Sequence, residues 1–193
     1  MDPLSTARLI LRRWRQEDRE PLYRINSDQH VMLFFPACLT RAESDASIEQ
    51  MESHFIEHGF GLWAAELRET GELIGFVGLS VPTFRAHFTP CVEIGWRLGG
   101  RFWGQGLATE GALEAMRYGF EDKKLSEIVS LTVPQNQRSI RVMQKLGMRR
   151  DRADDFDHPN LPPGHPLRRH LLYRRSAADY QQEHAREAVQ KRR

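Results

Sequence analysis

The run V-E-I-G-W-R-L-G-G-R-F-W-G-Q-G-L-A-T-E from Val92 to Glu110 constrains this chain most, because an apolar strand passes through a basic, glycine-rich turn directly into a helix. Gly104 and Gly106 have no Cβ to block a close approach to the backbone. The amides that open the next helix lack intrahelical partners and lie at the positive end of its dipole. The layout therefore predicts a cradle for a pyrophosphate. A nucleotide P-loop is excluded, since Ala108 precedes Thr109 and no lysine faces the turn. A dinucleotide fingerprint fits only at Gly104 and Gly106; Thr109 stands where its third glycine belongs.

The surrounding pattern predicts an α+β order. Residues 8–14 read as a strand, followed by a helix with Leu22, Tyr23 and Ile25 on its apolar side. Thr40-x-x-Glu43 is a capping box that starts a second helix, and Gly59 is a natural left-handed stop for it. Residues 60–68 and 73–79 form a hairpin about Glu69-Thr70-Gly71-Glu72, and residues 91–98 lead as a strand into the glycine loop. A helix from 107 to about 120, a strand at 128–133, a helix opened by Asn136 or Gln137 and closed by Gly147, and a strand at 168–174 complete the order. Three consecutive strands before the loop deny the regular βαβ alternation of a dinucleotide-binding oxidoreductase.

A length of 193 residues with 40% hydrophobic and 28% charged content fits one soluble domain, read as residues 1–175, with 176–193 as a polar, basic tail. Arg168, Arg169, Arg174, Arg175, Lys191, Arg192 and Arg193 make the end of the chain basic, but no aromatic readout motif accompanies them. They read as a solvated face, and no nucleic-acid partner is expected. Cys38 and Cys91 define no disulfide framework, and no signal or spanning segment is evident. The expectation is a cytoplasmic protein without a membrane partner, monomer or homodimer. Neither cysteine has a nucleophile's local context.

Arg101-x-x-Gly104-x-Gly106 resembles the acyl-coenzyme A loop of the GNAT acetyltransferase superfamily. Asn136-x-x-Ser139 followed by Lys145-Leu146-Gly147-Met148 resembles the N-x-x-S…K-L-G-F pattern of the branch that contains the ribosomal-protein N-terminal alanine/serine acetyltransferases. Thr6-x-Arg8-Leu9-x-Leu11-Arg12 and Glu93-Ile94-Gly95-Trp96 resemble the same branch's first strand and E-I-G-[YW] strand, so the likeness runs from Thr6 to about Arg150. The resemblance implies a GNAT fold: a mixed, mostly antiparallel sheet flanked by helices and splayed between its fourth and fifth strands. Acetyl-CoA is then the cosubstrate and a primary amine the acceptor, with direct transfer in a ternary complex. A protein or peptide N-terminus ranks first as acceptor, and an aminoglycoside or polyamine second; a non-catalytic acyl-CoA sensor is the alternative of a different class.

The resemblance makes Trp96 and Leu98 candidates for main-chain contact with the pantetheine arm. It assigns the pyrophosphate to the loop containing Arg101, Gly104, Gln105, Gly106, Ala108 and Thr109; Arg101 and Arg141 are candidates to meet phosphates or belong to a solvated face, and Asn136 is either a helix cap or a contact to a coenzyme amide. Acetyl transfer needs an uncharged amine, stabilisation of the oxyanion and a proton for the leaving thiolate. Glu93, a carboxylate among apolar strand residues, is either the general base, directly or through water, or a structural residue that pairs with Arg97 on the same strand face or hydrogen-bonds to backbone. Ser139 is either the donor to the thiolate or a helix-end hydrogen-bonding residue. His158, His165 and His170 with Asp154, Asp155 and Asp157 lack metal-ligand spacing, so no metal is expected; His158 and His165 become acceptor contacts or alternative bases.

Overall fold

The computed structural model describes residues 2–190. Its strands are β1 (Leu4–Ser5), β2 (Leu9–Arg12), β3 (Leu62–Leu67), β4 (Leu73–Ser80), β5 (Glu93–Leu98), β6 (Glu127–Thr132), β7 (Arg149–Arg150), β8 (Phe156–Asp157) and β9 (Arg169–Ser176). The helices are α1 (Arg19–Asn26), α2 (Arg41–His58), α3 (Leu107–Arg117), α4 (Gln137–Lys145) and α5 (Ala177–Gln190). One sheet runs in the order β1-β2-β3-β4-β5-β6-β9-β7, with β8 added on β9. Every pairing is antiparallel except β5 with β6. Because β1 precedes the first strand expected from sequence, the fourth and fifth expected strands are β5 and β6.

Their pairing is brief. β5 and β6 meet in register only at Glu93 and Val129, with the Val129 amide on the Val92 carbonyl at 2.9 Å. Beyond that point the Ser130 hydroxyl bridges to the Ile94 carbonyl at 2.9 Å, and the strands part. This is the splay that a GNAT-type sheet requires.

Strand alternation sorts β5 into two faces. Ile94 and Leu98 lie in the core with Val77 and Leu79 of β4, and Gly111 of α3 seats its Cα against Leu9 and Val77. Glu93, Gly95 and Arg97 point the other way, where Arg97 meets Asn26 at the end of α1. Thus α3 covers one face of the central strands, and α1 with the segment before α2 covers the other.

The local signals behave as their chemistry dictates. Thr40 and Glu43 form the reciprocal capping box of α2, and Gly59 ends it in the left-handed conformation at φ 68°. The helix expected to reach Phe120 instead ends at Arg117 and continues as a π turn through Asp122. Gly119 lies so close to Ile128 that a Cβ would sit 2.8 Å from its Cδ1, so the widened turn lets the chain pass tightly over β6.

The final strand runs past Arg174 to Ser176, whose hydroxyl accepts from the Asp179 amide at 3.1 Å and starts α5. The segment that composition alone marks as a polar tail is therefore helical over Ala177–Gln190, with Tyr180 buried against Phe120. Its S-x-x-D cap and the apolar Tyr180 outweigh its polar average. Lys191, Arg192 and Arg193 of the basic stretch lie outside the described residues.

Candidate active site

A cavity of about 780 Å³ opens where β5 and β6 separate, within the size range of small-molecule and cofactor sites. Glu93, Trp96, Leu98, Gly104, Gly106, Ala108, Thr109, Asn136, Ser139 and Arg141 all line it. Residues separated by nearly fifty positions are thus drawn to one cleft by the parallel crossover through α3.

The glycine loop forms one end. Gly104 (φ 75°) and Gly106 (φ 81°) both occupy the left-handed region, which opens the turn and caps α3. A Cβ on Gly104 would meet nothing within 4 Å, so its backbone faces open space. The amides from Gly104 to Thr109 have no hydrogen-bond partner among the described residues; the Glu110 amide is the first to find one, on the Gly106 carbonyl. Arg8 braces this loop from outside, donating to the Gln105 carbonyl at 3.0 Å while pairing with Glu110. A rigid row of free donors at a helix N-terminus is a site for an anion such as pyrophosphate.

The gap supplies free backbone as well. The Val92 and Ile94 carbonyls point toward β6, so by alternation Trp96 and Leu98 direct their backbone groups into the widening space. The Leu98 carbonyl, however, is taken by the Trp103 indole at 2.8 Å. Trp96 retains both groups for a ligand, and Leu98 only its amide.

Glu93 stands at the apex of the splay. Its side chain reaches the cavity, yet the surrounding protein pushes its pKa up to about 7 by desolvation. It makes no ion pair with Arg97 or any other described residue. Arg97 instead donates from Nη1 to the Asn26 Oδ1 at 2.7 Å and stacks on Phe35 and Phe76. The structural pairing expected as an alternative for Glu93 is absent because aromatic rings and Asn26 hold the guanidinium.

On the far wall, the Asn136 carboxamide caps α4 by accepting from the Ser139 amide at 3.3 Å. The Ser139 hydroxyl has no partner among the described residues and faces the cavity. Asn136 therefore carries the helix-end role, and Ser139 keeps its hydroxyl free.

Three expected contacts lie outside the lining. Arg101 is held in an ion pair by Glu72, and the Gln105 side chain donates to the Arg101 carbonyl at 2.9 Å, so both stiffen the outside of the turn. His165 accepts from the Leu167 amide at 3.1 Å within its own loop, while His158 and His170 reach the cavity with pKa values lowered by burial. The carboxylates of that region are engaged by arginines: Asp154 with Arg174, Asp155 with Arg150, and Asp157 with Arg168 and Arg169. Burial pushes the Cys91 thiol up to about 11, the wrong direction for a nucleophile.

Sequence reading missed Arg138 and Lys145, which line the cavity beside Arg141. Their i, i+3, i+7 spacing was visible as one helix face. Arg138 lies 4.4 Å over the Trp103 ring, which ties α4 to the glycine loop.

A family model described as an acetyltransferase (GNAT) domain matches residues 8–149, which span the splayed strands, the loop and α4. The chain belongs to the GNAT acetyltransferase family. It is 34% identical over 168 residues to the FsC-acetyl coenzyme A-N(2)-transacetylase of Aspergillus fumigatus, covering 83% of this chain and 71% of that protein. Among solved structures, a GNAT-family acetyltransferase from Bacillus anthracis aligns with TM-score 0.75 at 24% identity, over 91% of this chain and 99% of that one. RimL, the ribosomal L7/L12 α-N-protein acetyltransferase solved with coenzyme A, aligns with TM-score 0.72 at 15% identity, over 92% and 99%. At these identities the two structures establish a shared fold. The protein is thus an acetyl-CoA-dependent N-acetyltransferase that moves an acyl group to an amine, and the free loop amides of this GNAT chain fit the coenzyme's pyrophosphate.

Proposed function

We propose that this GNAT enzyme acetylates the primary amine of a protein or peptide N-terminus, with Glu93 as general base and Ser139 as donor to the leaving thiolate. The observation that carries the reading is Glu93: an unpaired carboxylate at the apex of the splay, with its pKa pushed up to about 7. A base of that strength accepts the ammonium proton near neutral pH, whereas an ordinary carboxylate is too weak. The amine lone pair is then free to form the C–N bond as the C–S bond of the thioester breaks.

The remaining residues position and neutralise. Free amides from Gly104 to Thr109 hold the pyrophosphate, and the Trp96 backbone offers strand-like hydrogen bonds to the pantetheine amides. Arg138, Arg141 and Lys145 present cations from α4 to the other phosphate oxygens. Ser139 then gives a hydrogen bond to the developing thiolate. Two free cysteines fit a reducing compartment, and we place the enzyme in the cytoplasm on that basis.

The test is an acceptor panel with acetyl-CoA, followed by free-thiol release. N-terminal peptides should support turnover above polyamines and aminoglycosides. Preference for the small amines would reassign the acceptor, and tight coenzyme binding without thiol release from any amine would make the chain a sensor.

A further inference from the structure

Arg97 is unlike the other buried and half-buried arginines that reach the sheet. Arg12 lies between Asp18 and Glu66, Arg174 between Glu127 and Asp154, and Arg175 beside Glu183. Arg97 has no carboxylate partner among the described residues, although burial alone lowers its pKa to about 10. A buried cation without a counter-charge is costly unless something else compensates it.

Its guanidinium is nevertheless fixed. The Phe35 ring lies 4.1 Å from its central carbon and the Phe76 ring 5.2 Å away. Nη1 is anchored on Asn26, whose own carboxamide donates to the Ser44 hydroxyl at 2.9 Å. Nε is buried without a partner. Nη2 is likewise unpartnered but not enclosed, and Arg97 lines the cavity, so its free donor edge opens there.

The location relative to Glu93 gives this cation its meaning. Both project from the same face of β5, opposite to the face under α3, and the residue between them on that face is Gly95. At about 3.3 Å per residue their Cα atoms are roughly 13 Å apart, and the flexible arginine stem shortens that span. Gly95 adds no side chain to the floor between base and cation, where Leu62 is the nearest neighbour.

We infer that Arg97 is a specificity determinant that receives a carboxylate of the acceptor, so that the substrate is an amine bearing a carboxylate several bonds from its nitrogen. The inference rests on the proposed delivery of the amine at Glu93. Such an acceptor spans the stripe, with its amine at Glu93, its chain over Gly95 and its anion paired with the stacked guanidinium. Two sources provide this chemistry: a free ω-amino acid, or a peptide N-terminus with an aspartate or glutamate among its first residues.

Matched acceptors test it. The ω-amino acids from glycine to 6-aminohexanoate and their carboxamides, and N-terminal peptides with Glu or Gln at the second position, are compared by calorimetric binding and by thiol release. Acids should exceed their neutral twins by about tenfold or more in affinity and in kcat/KM, as expected for a charge-assisted pair. Arg97→Met should erase this difference while leaving the neutral acceptors and coenzyme affinity unchanged, and Arg97→Lys should restore part of it. The arm with the larger acid preference identifies the source. Equal binding of acids and amides by the wild-type protein, or binding of neither, overturns the inference without any need for the variant to fold. Selective binding of acids with no thiol release would leave the carboxylate site standing and refute the catalytic assignment of Glu93.

Discussion

Replacing Glu93 by Gln tests the proposed base through stability as well as rate. The folded carboxyl titrates at about 7 against an ordinary 4.5, a difference of 7 − 4.5 = 2.5 units caused by desolvation. At about 1.36 kcal/mol per unit this corresponds to roughly 3 kcal/mol. Between those two pH values the folded chain holds a proton that the unfolded chain has lost. The favourable contribution is therefore complete below pH 4.5 and disappears as pH rises through 7. Glutamine mimics the neutral acid at every pH. Urea unfolding of both proteins from pH 4.5 to 8.5 should show the variant gaining roughly 3 kcal/mol on the wild type across the window, while all other titrations cancel. In parallel, wild-type kcat/KM should rise with pH through an apparent pKa near 7. The variant should keep its coenzyme affinity but lose about 10²–10⁴-fold in turnover, partly rescued at high pH where more amine is already neutral. A flat stability difference would refute the claim that burial governs this carboxyl, and near-normal turnover at saturating acceptor would refute its role as base.

Gly106→Val and Gly104→Val should each fold yet lose coenzyme binding by calorimetry, because a β-branched residue resists φ near +80° and collapses the amide row; undiminished affinity in a folded variant would eliminate the cradle. Ser139→Ala should lower turnover by about 10-fold or more without rescue at high pH, since its hydroxyl serves the leaving group and not the amine; a pH-rescued profile would contradict that assignment. Arg138→Ala should raise the Kd for coenzyme A and flatten its salt dependence, whereas Arg101→Ala should change affinity by no more than about twofold because Glu72 already holds that side chain. The opposite ranking in a salt titration would return the phosphate contact to Arg101.

Much of the architecture lies in local chemistry that a sequence displays. The Thr40-x-x-Glu43 box, the Gly59 stop and the Gly71 hairpin turn each follow from interactions within a few residues, and each stands in the structure as its spacing dictates. Of the stripe expected from Ala112, Leu113, Met116 and Phe120, three are buried, but Leu113 is exposed because the packing of α3 on the sheet turns that position to solvent. The two positive-φ glycines of the loop and the unpartnered amides behind them belong to the same class, because cap geometry depends on the next turn of chain and little else. Other features depended on contacts between distant segments. The Ser176 cap was local and legible, but docking of Tyr180 on Phe120 required α5 to meet the π turn.

The sequence by itself determined the main elements from β2 to α4, the glycine cradle and the strand bearing Glu93, since periodicity, capping and glycine conformation act over a few residues. Tertiary structure alone decided which charges are spoken for. Glu72 claims Arg101, Asn26 and two aromatic rings claim Arg97 in place of Glu93, and the Trp103 indole claims the Leu98 carbonyl. Each of those partners is set by how separate elements pack, and an ionisable side chain takes its role from whatever packing brings within about 4 Å of it and from how much water packing removes.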